Sequence, residues 1–152
     1  MSKKKLKLAI VSSSYNKPIV DNLIMGAQIA LKENGISAEK IDYFAVPGAY
    51  EIPLVVKKLC TSKKKKYDGI ITLGCVIKGD TAHFEYVASP VAYNLNIIST
   101  DNKMPLGFGV LTCFTAQQAY ERSLVDDAQI KNNKGYEAAM TVLEMIEVLK
   151  EI

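Results

Sequence analysis

The apolar run Gly69–Ile77 constrains the fold of this chain more than any other stretch. It is rich in Ile and Val and too short for a typical helix, so it predicts a strand that is covered on both faces. Strands of this kind belong to parallel sheets, which are connected by crossover helices. The polar turn 78–81 follows, and apolar residues then recur at helical spacing from Ala82 to Leu95. A strand therefore leads through a short turn into a helix.

The turn 78–81 and the residues just after it predict an anion site. Ligands of parallel sheets bind beyond the carboxyl ends of the strands, where a helix N-terminus offers free N–H groups and a positive dipole end. Asp80 and Thr81 can cap the helix, and the Thr81 hydroxyl can bond a phosphate oxygen. His83 is the only histidine of the chain, and imidazole is well matched to proton transfer at neutral pH. The same residues also fit a helix cap followed by a structural histidine.

The rest of the chain repeats the alternation of strand and helix. The predicted strands cover 6–12, part of 36–46, 69–77 and 104–112, and the predicted helices cover 18 to about 34, 49–60, 82–95, 115–124 and 136 onward. This order predicts an α/β fold, a three-layer α/β/α sandwich with a flavodoxin-like, four-stranded parallel sheet flanked by helices. We expect a single domain over residues 1–152, with residues 1–5 as a flexible tail.

Composition and charge narrow the class of protein. The chain has 152 residues, 49% of them hydrophobic and 23% charged, which fits one soluble globular domain. The net charge of +3 comes largely from lysines in 3–7 and 63–66, which lack interleaved aromatic residues. We therefore expect a solvated tail and loop and no nucleic-acid partner. The chain lacks both a membrane-length apolar stretch and a signal-cleavage pattern, which predicts a cytoplasmic protein without a membrane partner.

The three cysteines predict no special chemistry. Cys60, Cys75 and Cys113 lie far apart in the sequence, and none belongs to a CxxC pattern or has a histidine nearby. Reduced thiols in a cytosol fit this spacing best, and Cys75 and Cys113 lie in or beside apolar runs, where cysteine usually serves as a small packing residue. We expect neither a metal nor a cofactor.

Four segments that each follow a predicted strand carry a family resemblance. They are SSYN, VPGAYEIP, VIKGDTAHFEYV and AYERS. In this order they resemble the 6,7-dimethyl-8-ribityllumazine synthase family over nearly the whole chain. The resemblance implies a transferase of riboflavin biosynthesis. It would condense 5-amino-6-(D-ribitylamino)uracil with 3,4-dihydroxy-2-butanone 4-phosphate to 6,7-dimethyl-8-ribityllumazine, releasing phosphate and water. The alternative is a non-catalytic lumazine- or flavin-binding module on the same fold.

The resemblance also implies which residues meet the pyrimidine. Tyr15 stands where the family places an aromatic ring against the pyrimidine, although Phe is more usual there, and stacking survives the change. Cys75, Val76 and Ile77 line the pyrimidine pocket, largely through backbone groups, and would otherwise be strand core. Lys134 matches a lysine near the pyrimidine end of the site.

Two further parts of the site follow from the resemblance. Ala49, Tyr50 and Glu51 belong to the segment that holds the ribityl chain, Ala49 through its backbone and Glu51 through its carboxylate. Glu51 also fits a carboxylate favoured at a helix start. Phe108 corresponds to an aromatic residue that reaches the pocket of the adjacent subunit, whereas the pattern alone reads it as core.

The remaining assignments concern the phosphate and the proton. Asp80 and Thr81 match the turn that binds the butanone phosphate, and Asp80 is expected to offer its N–H and to point its carboxylate away. His83 takes the place of the proton-transferring residue. Arg122 matches the arginine that pairs with the phosphate, for which a guanidinium fork is suited, although without the resemblance it is a solvated helix residue.

The link after Arg122 departs from the family pattern and bears on assembly. Where bacterial members have the glycine-rich AGTKAGNKG, this chain has SLVDDAQIKNNKG, which is longer and has no glycine before the final NKG. In the family this link lies where pentamers meet to form closed shells, and longer links accompany isolated pentamers. The short segment before the first strand is a further hint. We therefore predict a homopentamer with active sites between adjacent subunits.

Overall fold

Four parallel strands form the centre of the molecule. The computed structural model describes residues 5–152, so the predicted tail falls, apart from Lys5, outside the described residues. The strands are β1 (Leu8–Ser13), β2 (Ile41–Val46), β3 (Gly69–Ile77) and β4 (Leu106–Cys113), in the order β2-β1-β3-β4. This order and the parallel pairing confirm the predicted flavodoxin-like sheet.

Helices cover both faces of the sheet and complete the predicted three layers. They are α1 (Lys17–Glu33), α2 (Ile52–Cys60), α3 (His83–Asn102), α4 (Ala116–Glu121) and α5 (Lys134–Glu151). Single 3-10 turns occur at Ala38–Lys40, Ala49–Glu51 and Ile130–Asn132. One buried cluster joins α1, α4 and α5 to one face of the sheet, and a second cluster joins α2 and α3 to the other face.

The alternation of side chains along β1 explains why both faces need cover. Leu8 and Ile10 pack toward α1 and α5, while Ala9 and Val11 pack toward α2 and α3, and all four are fully buried. Ser13 is the last residue of β1 and pairs with Val46 of β2. The carboxyl ends of β1, β2 and β3 therefore meet at one edge of the sheet, which we call the carboxyl edge.

Close backbone approach brings α5 onto β4. A Cβ atom at Gly107 would collide with the carbonyl group of Ala138, so only glycine fits there. A Cβ atom at Gly109 would instead meet Leu73 and the Thr72 carbonyl oxygen of β3 first, so of the two glycines Gly107 marks the close approach of the helix.

Three predicted helix limits were wrong, each for a local reason. The helix predicted to end at Leu95 continues to Asn102, because Ile98 extends its buried face. The helix after Thr115 ends at Glu121 and excludes Leu124, since the chain turns at Arg122. The last helix begins at Lys134 rather than at Tyr136, because the Asn133 side chain caps it.

Candidate active site

A cavity of about 920 Å³ opens at the carboxyl edge of the sheet. It brings together most of the residues that the sequence singled out. Those that line it are Tyr15, Ala49, Tyr50, Glu51, Cys75, Val76, Ile77, Thr81 and His83, and they are joined by Pro47, Gly48, Gly79, Phe84, Tyr86 and Val87. The segments that follow β1, β2 and β3 therefore share one hollow, as expected for ligand sites of open parallel sheets.

The segment after β1 is tied to its neighbours on both sides. The Tyr15 backbone N–H donates to the Pro47 carbonyl oxygen at 3.1 Å. The next residue, Asn16, has a left-handed backbone (φ 54°), and its side chain donates to the Cys75 carbonyl oxygen at 2.9 Å. Asparagine tolerates this conformation better than most residues. The Tyr15 side chain, 73% exposed, lines the cavity from this anchored segment.

Glu51 both stabilises the start of a helical turn and lines the cavity. Its Oε2 accepts from the Gly48 backbone N–H at 2.9 Å, and the Glu51 N–H donates to the Gly48 carbonyl oxygen at 3.2 Å. The first bond is the one that the glutamate of a capping box makes, while the second is the backbone bond of the 3-10 turn, because glycine has no side chain to cap with. They fix the carboxylate where a polar ligand in the cavity meets it.

The turn between β3 and α3 holds the histidine at the rim of the cavity. Thr81 Oγ1 accepts from the His83 backbone N–H at 3.3 Å, whereas the prediction that Asp80 caps the helix was wrong, because Ala82 is the N-cap residue and no side chain bonds from that position. The His83 imidazole is exposed, and no hydrogen bond or ion pair within residues 5–152 engages it. The ring is therefore available to a ligand.

An aromatic and cationic cluster that sequence reasoning missed supports the same wall. The ring of Phe84, which lines the cavity, lies 6.2 Å from the ring of Phe114. Lys78 Nζ is 5.8 Å from the Phe114 centroid and 3.5 Å from the Glu85 carboxylate. Phe84 was predictable as an apolar position of the helix, but its pairing with Phe114 depends on β4 lying beside β3.

Four predicted residues do not line the cavity. Asp80 is exposed on the turn, and Phe108 on β4 is 47% exposed beside a separate hollow of about 220 Å³ between α3 and β4. Arg122 ends α4, where its guanidinium Nη1 donates to the Gln118 carbonyl oxygen at 3.0 Å. Lys134 pairs with Glu137 at 2.6 Å. A single chain thus leaves the predicted guanidinium outside the cavity.

The thiols near the site are packing groups. Burial raises the pKa of the Cys75 thiol to about 12, and the nearby Cys113 adds to the effect. Burial also raises the pKa of Cys113, although the Arg122 guanidinium acts in the opposite direction. Both thiols are protonated at neutral pH, so neither is an activated nucleophile.

The fold and cavity define a class of protein. The molecule is an α/β protein with an aromatic and polar cavity at the carboxyl edge of its parallel sheet. The helix N-terminus at this cavity can hold a small anionic molecule, and the unengaged imidazole can transfer protons. Across residues 5–152, no three His, Cys, Asp or Glu side chains are grouped to hold a metal ion. None of the helices in that range is both long enough and apolar enough to span a membrane.

Comparison with known proteins identifies the family. The 6,7-dimethyl-8-ribityllumazine synthase family model matches residues 5–150. A protein of Leuconostoc mesenteroides with that name is 46% identical over 146 residues, which cover 96% of this chain and 90% of the relative. A protein of Blochmanniella pennsylvanica with the same name is 48% identical over 149 residues, covering 97% of this chain and 90% of the relative. This chain belongs to the 6,7-dimethyl-8-ribityllumazine synthase family.

Membership fixes the class of activity. The chain is an enzyme, a transferase of riboflavin biosynthesis that forms 6,7-dimethyl-8-ribityllumazine. The alternative of a non-catalytic binding module is not favoured, since both relatives are named as synthases.

Proposed function

We propose that the enzyme condenses 5-amino-6-(D-ribitylamino)uracil with 3,4-dihydroxy-2-butanone 4-phosphate and releases phosphate and water. The observation that carries this proposal is the single cavity that collects Tyr15, Glu51 and His83 from the segments after three different strands. Its volume of about 920 Å³ lies in the range of sites for small organic ligands.

The pyrimidine and its ribityl chain occupy the part of the cavity formed by the ends of β2, β1 and β3. Tyr15 stacks on the ring, and the backbone of Cys75, Val76 and Ile77 bonds its edge. Ala49, Tyr50 and Glu51 hold the ribityl chain. The hydrogen bond from the Gly48 backbone N–H supports this role, because it immobilises the Glu51 carboxylate before substrate arrives and so lowers the entropic cost of binding.

The butanone phosphate binds at the turn before α3. Thr81 contributes its hydroxyl, Asp80 its backbone N–H, and the start of α3 a positive dipole end. The pyrimidine amine attacks the ketone, water leaves and an imine forms. Loss of a proton from the carbon beside the imine then expels phosphate, and ring closure loses a second water. His83 relays the protons, as its exposed imidazole at the rim allows.

The site is completed by an adjacent copy of the chain in a homopentamer. Phe108, Arg122 and Lys134 line no part of the cavity in their own chain, so we assign them to the cavity of the neighbour. The exposed apolar side chains of Leu54 on α2, at 76%, and Tyr93 on α3, at 68%, support a partner surface on this face of the sheet. Arg122 is the only arginine of a chain that otherwise uses lysine, which supports a role for its planar fork.

Assembly and sharing of the site have separate tests. Sedimentation should give roughly five subunit masses, and a monomer or a closed shell would contradict the pentamer. At a butanone phosphate concentration well below its KM, His83→Ala and Arg122→Ala should each keep no more than about a tenth of the wild-type activity. Pentamers refolded from their mixture should regain activity, because some sites then combine an intact His83 with an intact Arg122. If mixing restores nothing beyond the sum of the two variants, the residues act within one chain.

The reaction itself is tested by supplying both substrates and measuring lumazine formation. Binding of the pyrimidine without turnover would reject the enzymatic proposal. We further propose that residues 1–152 form one domain that acts in the cytoplasm, which the three free cysteines support, because unpaired thiols persist in reducing compartments.

A further inference from the structure

The segment between Arg122 and Lys134 is a loop whose ends are bonded together. The Lys134 backbone N–H donates to the Arg122 carbonyl oxygen at 2.9 Å. Compact loops whose ends meet in this way are Ω-loops. Two proposed substrate-binding residues, far apart along the loop, are therefore neighbours at its closed end, which we call the neck.

Asn133 lies at the neck and is completely buried. Its Oδ1 accepts from the backbone N–H groups of Gly135, at 2.8 Å, and Tyr136, at 3.2 Å. Its Nδ2 donates to the Leu124 carbonyl oxygen, across the neck, and to the Asn22 carbonyl oxygen on α1, both at 3.1 Å. All four hydrogen-bonding positions of the amide are used. One side chain thus joins both ends of the loop to two helices.

The Asn133 side chain and the start of α5 pack closely against α1. A Cβ atom at Gly26 of α1 would collide with the Asn133 amide, and one at Gly135 would collide with the Leu23 carbonyl group. On the other side of the neck, the buried Ser123 donates its hydroxyl to the Tyr120 carbonyl oxygen at 3.0 Å. Both ends of the loop are therefore fixed to neighbouring helices.

The exposed turn 126–128, which we call the body of the loop, differs from the neck. Asp126, Asp127 and Ala128 are all exposed, and their turn is closed locally by Asp126 Oδ1, which accepts from the Gln129 backbone N–H at 3.1 Å. Nothing in this turn bonds to the neck. Its length and composition can change while the neck keeps its geometry.

We infer that Asn133 is a positioning residue, which holds Arg122 and Lys134 in register through the neck and separates the geometry of the active site from the body of the loop. The inference rests on the proposed roles of Arg122 and Lys134. The inference explains why the loop can depart from the family pattern while Arg122 and Lys134 keep the positions that match the family.

The decisive variant is Asn133→Ser, because serine caps a helix about as well as asparagine but cannot make the two bonds from Nδ2. We expect the KM for the butanone phosphate to rise about tenfold or more, because misplacement by a fraction of an ångström weakens a positioned contact. The control Ile146→Val loosens the far end of α5 and should leave this KM unchanged. If Asn133→Ser has the wild-type KM, Asn133 is only a cap and the inference fails.

A second variant tests the separation of neck and body. Replacing residues 126–128 by one glycine should leave kcat/KM within about twofold of wild type, since surface changes away from special features have small effects. A tenfold loss in this variant would overturn the inference.

Hydrogen exchange supplies a readout that needs no turnover. The Lys134 amide should be protected in wild type and in the loop-shortened variant, and should exchange at least tenfold faster in Asn133→Ser. Unchanged protection in Asn133→Ser would contradict the neck directly. An error in the proposed function would give a different result from an error in this inference. If Arg122 does not bind the phosphate substrate, Arg122→Ala leaves the KM for that substrate unchanged, whatever the exchange data show.

Discussion

The two edges of the sheet differ in how their polar groups are satisfied. At the carboxyl edge, the His83 ring and the Tyr15 hydroxyl have no polar partner among residues 5–152, and in that range Ser13 Oγ is the one buried side-chain polar atom without a hydrogen bond. At the amino edge, the Asp42 carboxylate accepts from Lys7 Nζ at 2.9 Å and from the Tyr67 hydroxyl at 2.6 Å.

The titration of the amino-edge cluster reflects this pairing. Hydrogen bonds from Lys65 and Tyr67 hold the pKa of the Asp42 carboxyl well below its usual range. Burial, and then the bond to Asp42, raises the pKa of Tyr67. Groups that bond one another stabilise the fold, whereas groups left without partners at a cavity are available to substrate. The amino edge therefore serves stability and the carboxyl edge serves function.

The largest expected effect tests the carboxyl edge. His83→Ala should lower kcat by about a hundredfold or more, the usual contribution of a general acid–base, while pyrimidine affinity and the melting temperature change little. Steady-state kinetics and pyrimidine titration measure the two quantities. Unchanged turnover would remove His83 from the proton relay and weaken the contrast between the edges.

Arg122 should give the next largest effect and should confine it to one substrate. Arg122→Ala should raise the KM for the butanone phosphate at least about tenfold with little change for the pyrimidine, and Arg122→Lys should recover only part of the loss, because lysine lacks the planar fork. The measurement is the KM for each substrate at saturation with the other. Equal effects on both substrates would contradict a phosphate role.

Asp42→Asn tests the amino edge, and only stability should change. We expect a loss of about 1.5–3 kcal/mol in the free energy of unfolding at pH 7, typical of hydrogen bonds to a charged group. The folded pKa of Asp42 is depressed, so its contribution is complete above the unfolded pKa of about 3.9 and is lost as pH falls further. Denaturant unfolding from pH 7 to pH 3 should therefore show a shallower acid loss in the variant. A change in kcat would argue against the separation of the two edges.

Tyr15→Phe should have the smallest effect. The hydroxyl has no partner within the described residues and the ring alone stacks, so kcat/KM should stay within about twofold, whereas Tyr15→Ala should raise the KM for the pyrimidine clearly more. Fluorescence titration with the pyrimidine would separate the two variants. An equal loss in both would give the hydroxyl a role that the cavity geometry does not provide.

The fold and the centre of the cavity were predictable because their signals are local. The strand 69–77, the turn after it and the start of α3 are written in one continuous stretch, and hydrophobic spacing alone fixes which side of each element is buried. Parallel order then brings the segments after β1, β2 and β3 to one edge, so residues read separately from the sequence meet.

The missed residues have partners that are distant in the sequence. Asn16 is bonded to Cys75, Phe114 lies beside Phe84, and Asn133 is bonded to α1. The sequence around each of these residues does not predict which residue it contacts. The one available signal was an asparagine just before the Pro18 helix start, a residue type that tolerates the left-handed backbone.

The sequence by itself determined the alternation of strands and helices, the buried faces and the identity of the residues after each strand, because propensity and hydrophobic spacing act over a few neighbouring residues. The tertiary structure alone decided that Asn16 is bonded to Cys75, that Asn133 is bonded to α1, and that Arg122 stays outside its own cavity. These features depend on distances between segments that are remote along the chain, and those distances exist only after the sheet and its two helical layers have packed.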